Sequence, residues 1–158
     1  MNKYLIFRTD KIGDFLISAI LINCIKRNDP NSFINVVVSE KNYDYVKTFK
    51  IVDEVTLLSK GMFSRFKIIN NLRKDKYNAI IIHDCKKRSI FISSLLRTNL
   101  KIIPNHKLNI SYFSEIVKII SKLNFSFNET DFNIFNDRNN YNVEISENNF
   151  ILFHFDEK

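Results

Sequence analysis

Apolar residues recur along this chain in two alternating rhythms: short unbroken bursts, and longer stretches in which they return every three or four positions. The bursts have the length and β-branched content of buried strands. The longer stretches have the period of helices packed on one face. Lys3 to Arg8 is the first burst, closed by a turn over Thr9 to Gly13. Asp14 to Lys26 then predicts a helix with Leu16, Ile20 and Cys24, joined by Ala19, as its inward stripe, and Asp29-Pro30 stops it. Phe33 to Val38 reads as a second strand, Glu40 to Phe49 as a helix, and Glu54 to Leu58 as a third strand. Gly61 opens a longer helix that ends in the charged run Arg73 to Lys76, and Asn78 to His83 is the clearest strand of all. There follow a helix over Ser89 to Arg97, a short strand over Lys101 to Ile103 ended by Pro104, and an amphipathic helix over Ile110 to Leu123.

Strands that alternate with helices predict an α/β fold, a doubly wound parallel sheet of Rossmann-like type. Residues 126–148 are Asn-rich and acidic and read as a linker, and Phe150 to His154 reads as a fresh buried strand. The expected organisation is a Rossmann-like domain over 1–125, a linker over 126–148, and over 149–158 the first strand of a second domain cut short.

Composition narrows the classes. The chain has 158 residues, 45% apolar and 26% charged, which is a globular profile. Cys24 and Cys85 form no CxxC or zinc pattern, so a reduced, cytoplasmic protein is expected. No apolar run reaches the length of a membrane span or a signal-peptide core. The net charge of +7 is unevenly spread: residues 1–125 carry 22 basic and 10 acidic residues, residues 126–158 carry 2 and 7. The basic part favours an anionic partner, be it a phosphorylated substrate or an anionic membrane face, or else is simply a solvated Lys-rich surface of AT-rich codon usage. Nucleic acid is set aside, because no RNP, zinc or helix-turn-helix pattern accompanies the charge.

In a doubly wound sheet ligands gather beyond the carboxyl ends of the strands. The first such turn reads Arg8-Thr9-Asp10-Lys11-Ile12-Gly13-Asp14. It has one glycine where a dinucleotide loop needs three, and the carboxylate of Asp14 would repel a phosphate from the helix that follows. Asp14 is therefore either an acid placed favourably on the helix dipole, worth about 0.3–1 kcal/mol, or a general base that takes a proton from a substrate hydroxyl. Gly13 would let a substrate approach closely.

The stretch Tyr4 to Leu16 resembles the opening of glycosyltransferase family 9, the lipopolysaccharide heptosyltransferases: a hydrophobic strand, R-x-D-x-x-G-D, then a helix. Asn35 to Ser39, the segment Ile51-Val52-Asp53-Glu54-Val55, Leu72 to Ile81 with its Leu-Arg and Tyr-Asn pairs, and the strand Phe150 to His154 ending in His are similar in the same order. Residues 104–149 match nothing in that pattern.

The resemblance implies the N-terminal half of a GT-B glycosyltransferase, in which one Rossmann-like domain binds the acceptor and a second binds the nucleotide-sugar. It implies inverting transfer with no cofactor and no bound metal, and it puts the base on Asp14. The implied partners are an ADP-heptose-like donor, held by the second domain, and an anionic glycolipid acceptor, with peripheral contact at the inner membrane face. Acceptor contacts would come from Arg8, Thr9, Asp10, Lys11, Gly13, His83, Lys86, Lys87 and Arg88. Each has a plainer reading: a salt bridge to Asp10 or Asp14 for Arg8, turn stabilisation for Asp10, a structural hydrogen bond for His83, and a solvated basic loop for Lys86-Lys87-Arg88. His154 and Lys158 are candidates for donor-phosphate contacts. Cys85, between Asp84 and the basic run, is not expected to act as a nucleophile. The alternative function is a non-catalytic, truncated remnant or anion- and glycan-binding domain of the same fold, and residues 1–158 alone are expected to show no transfer.

Overall fold

A computed structural model describes residues 1–104 and 111–134. Five strands form one sheet: β1 (Lys3–Phe7), β2 (Phe33–Val38), β3 (Glu54–Leu57), β4 (Lys76–Ile82) and β5 (Arg97–Ile102). Their order is β3-β2-β1-β4-β5 and every pairing is parallel. The central strand β1 is flanked by β2, with Lys3 opposite Phe33, and by β4, with Tyr4 opposite Ala79. The chain thus moves outward one way, returns to the centre and moves outward the other way. That reversal makes a crevice at the carboxyl ends of β1 and β4.

The helices are α1 (Ile12–Asn28), α2 (Tyr43–Val46), α3 (Met62–Leu72), α4 (Lys87–Ser94) and α5 (Tyr112–Lys122), followed by a 3-10 turn at Glu129–Phe132. Both faces of the sheet are covered, as unbroken apolar strands require. On one face Phe15, Ala19, Ile22 and Ile25 of α1 and Ile116, Ile119 and Ile120 of α5 pack on Tyr4, Ile6, Val36 and Ile81. On the other, Ile68, Ile69 and Leu72 of α3 and Ile92 of α4 pack on Leu5, Phe7, Ile80 and Ile82. The inward stripe of α1 thus runs through Phe15, Ala19 and Ile22; Leu16 and Ile20, expected to lead it, are only partly buried.

Three expected boundaries move. The helix expected over Glu40 to Phe49 shrinks to the single turn Tyr43–Val46. Asn42 turns its amide back to Ser39 and to the Arg8 carbonyl, and Thr48 Oγ1 donates to the Tyr45 carbonyl, so side chains compete with the helical ladder at both ends. Arg97 begins β5 instead of ending a helix, because α4 stops at Ser94. The strand is then longer than Lys101 to Ile103, and its polar Thr98-Asn99 start is tolerated because an edge strand pairs on one side only.

The family-like segments prove to be fasteners. Asp53 Oδ2 accepts from the Ile34 amide at 2.7 Å and from Lys26 Nζ at 2.7 Å, joining β2, the approach to β3 and α1. Asn78 Oδ1 accepts from the Lys3 amide at 2.9 Å, and Tyr77 donates its hydroxyl to the Leu72 carbonyl. Residues 126–134, the described start of the expected linker, lie against α1: Arg27 Nε and Nη2 grip the buried Asp131 carboxylate at 2.8 and 3.0 Å. Burial opposes the charge of Asp131, but Arg27 and the Asn128 amide outweigh it and hold the carboxyl below its ordinary value. The expected strand Phe150 to His154, with His154 and Lys158, lies outside the described residues.

Burial also raises several acids, Tyr77 on β4 among them. Cys24, Cys85 and Tyr4 are each pushed up to about 12, chiefly by desolvation. The folded state holds these protons where unfolded thiols, titrating near ~8.5, have released theirs. Unfolded chains therefore bind fewer protons above that pH, and stability falls as pH rises toward about 12. The urea midpoint is expected to decline steadily through the alkaline range above that point; a flat profile there would contradict the burial of these groups.

Candidate functional site

Every strand of a parallel sheet delivers its following loop to the same rim. Here the loops after β1, β2, β3 and β4 enclose a cavity of about 460 Å³. Thr9, Asp10, Lys11 and, at the start of α1, Asp14 line it after β1, Ser39, Glu40 and Lys41 after β2, Leu58 and Lys60 after β3, and Lys86 and, at the start of α4, Arg88 after β4. Five basic side chains face three acidic ones, so the cavity favours anions.

Asp14 is the third residue of α1 and half buried at the cavity wall. Its Oδ2 accepts from the Lys11 amide at 3.2 Å, a hydrogen bond that holds the carboxylate over the helix start. The residue before it, Gly13, is exposed, and a β-carbon there would meet no atom within 4 Å. The fold itself does not demand glycine at this position; the space beside Asp14 is simply open.

Arg8 supports this wall from inside. Only 3% of it is exposed. Its Nε donates to the Asp14 carbonyl at 2.8 Å and its Nη1 to the His83 carbonyl at 2.7 Å, with Asp10 Oδ2 at 3.6 Å. One planar guanidinium thereby joins the ends of β1 and β4 to the first turn of α1. The expected salt bridge forms with Asp10, and Asp14 offers its backbone and not its carboxylate. Asp10 also pairs with Lys86, whose Nζ donates to the Thr9 carbonyl at 3.1 Å. Asp10 is thus a turn-stabilising acid with two cations.

Asp84 is the buried hub of the rim. It accepts from Thr9 Oγ1 at 2.6 Å, from Ser89 Oγ at 2.7 Å and from the Lys86 amide at 3.2 Å. His83, expected as a possible sugar contact, is 1% exposed and belongs to the interior. Its Nδ1 meets Ser18 Oγ at 2.8 Å and its Nε2 lies 3.3 Å from Glu115 Oε1. Cys85 turns away, its backbone in the left-handed region at φ 48°, and its thiol donates to the Pro104 carbonyl. A thiol pushed up to about 12 stays protonated at neutral pH.

The first-loop residues and Lys86 and Arg88 therefore come together around one cavity, while Arg8 and His83 stand behind it. Lys87 is exposed on α4 and does not line it. Arg88 contributes a buried Nε with no protein hydrogen-bond partner among the described residues, beside the anion-favouring space. Ser39, Lys41 and Lys60 are additional lining residues that the sequence reading did not single out. The signal was present: each follows the carboxyl end of a predicted strand, where the same rim rule applies.

No family model matches the chain. Over 133 residues it is 26% identical to lipopolysaccharide heptosyltransferase 1 of Campylobacter coli, covering 82% of this chain and 38% of that protein. Among solved structures it resembles Escherichia coli heptosyltransferase WaaC with ADP-2-deoxy-2-fluoro heptose, with a TM-score of 0.66 at 16% identity, over 81% of this chain and 50% of that one. It also resembles a family 9 glycosyltransferase from Veillonella parvula, with a TM-score of 0.65 at 12% identity, over 79% and 42% of the two chains. The chain thus spans half or less of the length of these relatives.

Proposed function

We propose that this chain belongs to glycosyltransferase family 9 and supplies the acceptor-binding half of a GT-B heptosyltransferase that extends the lipopolysaccharide core in the cytoplasm. The observation that carries the reading is the carboxylate of Asp14, half buried on the wall of a cationic cavity at the switch point of the sheet. A base there meets an alcohol on an anionic acceptor at the place where the fold presents ligands.

The reaction is inverting and metal-independent. Asp14 takes the proton of an acceptor hydroxyl while that oxygen attacks the anomeric carbon of an ADP-heptose-like donor, and the nucleoside diphosphate leaves from the opposite face. The donor is held by a second domain. Arg8 and His83 act by position: Arg8 fixes the backbone of Asp14, and His83 braces β4 against α1 and α5. Thr9, Lys11, Lys86 and Arg88 face the acceptor, with the Arg88 guanidinium, its Nε buried in the wall, bringing charge to a phosphate or carboxylate. Lys87 adds to the field outside the cavity.

Titration calorimetry of this chain tests the assignment. A phosphorylated Kdo–lipid A acceptor should bind with an affinity that falls as salt rises, and ADP-heptose should give no comparable heat. Arg88→Ala should weaken acceptor binding about tenfold or more, the effect of losing one charge-assisted hydrogen bond. Tight nucleotide-sugar binding without acceptor binding would move the chain to the donor half.

A further inference from the structure

No helix among the described residues is long and apolar enough to cross a membrane. One helix nevertheless turns its apolar side outward. In α3, Ile68, Ile69 and Leu72 point to the sheet, while Met62, Phe63 and Phe66 are 69, 92 and 61% exposed. At 100° per residue Phe63 lies opposite the centre of the buried stripe, with Phe66 and Lys67 on either side of it. A 92% exposed phenylalanine at the outer pole of a helix has no role in the core.

The charge around it has one sign. From Ser59 to Lys74 the chain carries Lys60, Arg65, Lys67, Arg73 and Lys74 and no acidic residue. The neighbouring α4 repeats the motif on the same side of the sheet. It packs into the same core through Ile92, is tied to the end of α3 by the bond from Arg73 Nε to the Leu95 carbonyl, and exposes Phe91 one turn from Lys87. Both helices begin at the carboxyl ends of their strands, and Lys60, just ahead of α3, lines the cavity.

From these observations we infer that the outer face of α3, centred on Phe63 and Phe66 and continued by α4, is a docking surface for an anionic lipid bilayer. Aromatic and thioether side chains enter the headgroup–acyl boundary, and the surrounding Arg and Lys meet lipid phosphates. A second protein would also cover apolar surface, but a run of five basic residues, whose next carboxylate in the chain, Asp75, is already paired with Lys3, matches a phosphate-covered plane best. Docked in this way, the mouth of the cavity sits beside the bilayer, where a lipid-anchored acceptor presents its sugars. The surface itself stands whether or not Asp14 is a base.

The chain contains no tryptophan, so Phe63→Trp gives a single reporter. Its emission should shift to the blue on adding vesicles of equal parts phosphatidylglycerol and phosphatidylethanolamine, and not on adding phosphatidylcholine vesicles. Phe113→Trp, on α5 across the sheet, should not respond. In sedimentation with the anionic vesicles, Phe63→Ser/Phe66→Ser should lower the partition coefficient about tenfold or more, and Arg65→Gln/Lys67→Gln should lower it and flatten its salt dependence. All substituted positions are exposed, and an unchanged circular dichroism spectrum confirms folding. Equal partition of wild type and the Phe63→Ser/Phe66→Ser variant overturns the proposal. So does a concentration-dependent dimer that this variant abolishes, which would assign the face to a second copy of the chain.

Discussion

Asp14→Asn, in a preparation competent for sugar transfer, is expected to lower kcat by about a hundredfold to ten-thousandfold, the range of a positioned general base. The carboxamide is isosteric, and its oxygen can still accept from the Lys11 amide, so the helix start and the thermal midpoint should be unchanged. Acceptor affinity should be unchanged or tighter, because one negative charge leaves a cavity that binds anions. A purified variant that still turns over at the wild-type rate would reduce Asp14 to an acid on the helix dipole.

Arg8→Ala is expected to cost about 3 kcal/mol of folding stability, the lower end of what losing one member of a buried, charge-bearing cluster costs. The guanidinium is almost fully enclosed, and its removal takes a charged donor from the His83 carbonyl and leaves the Asp14 carbonyl with its helical bond alone. Arg8→Lys keeps the charge but not the fork, so it should recover only part of the loss. Since Arg8 does not line the cavity, its effect on transfer should appear in kcat, through a displaced Asp14, and not in acceptor affinity. Urea titration of both variants reads the stability term; a loss below ~1 kcal/mol would mean that water satisfies these carbonyls instead.

The strand order could be anticipated only as a class, whereas the strands were legible residue by residue wherever they are buried on both faces. Val36, Val37 and Val38, or Ala79 to Ile82, are enclosed on each side and carry no polar interruption. The start of the edge strand β5 escaped because one flank needs no apolar cover: Arg97 reads as the end of a helix, and Thr98 and Asn99 fall outside both predicted elements. The helix expected over Glu40 to Phe49 shortens to α2 because Asn42 bonds the Arg8 carbonyl and Thr48 turns its hydroxyl back to the Tyr45 carbonyl, contacts that no periodicity reveals.

At the site, the carboxylate of Asp14 and the cations Lys11, Lys86 and Arg88 were visible from the topology of the first and fourth loops. What sequence could not distinguish was which polar residues face outward. Arg8 and His83 look like ligands for a substrate when written in a line, yet each spends its hydrogen bonds inside the wall. A strand-end residue can point either way, and the choice is set by partners distant in sequence, such as Glu115 for His83.

The centre of the sheet also governs how the protein comes into being. β1 has one neighbour close in sequence, β2, but its other neighbour, β4, pairs Tyr4 with Ala79. During synthesis the amino-terminal strand must therefore wait, one apolar flank unpaired, until residues near Ile82 emerge. Pairings this far apart fold slowly, and an unpaired strand flank invites association with other chains. Slower translation ahead of β4 or a higher growth temperature should accordingly drive newly made chains into aggregates, while a lower rate of initiation, which dilutes the unpaired chains, protects them, without any change in the stability of the finished molecule.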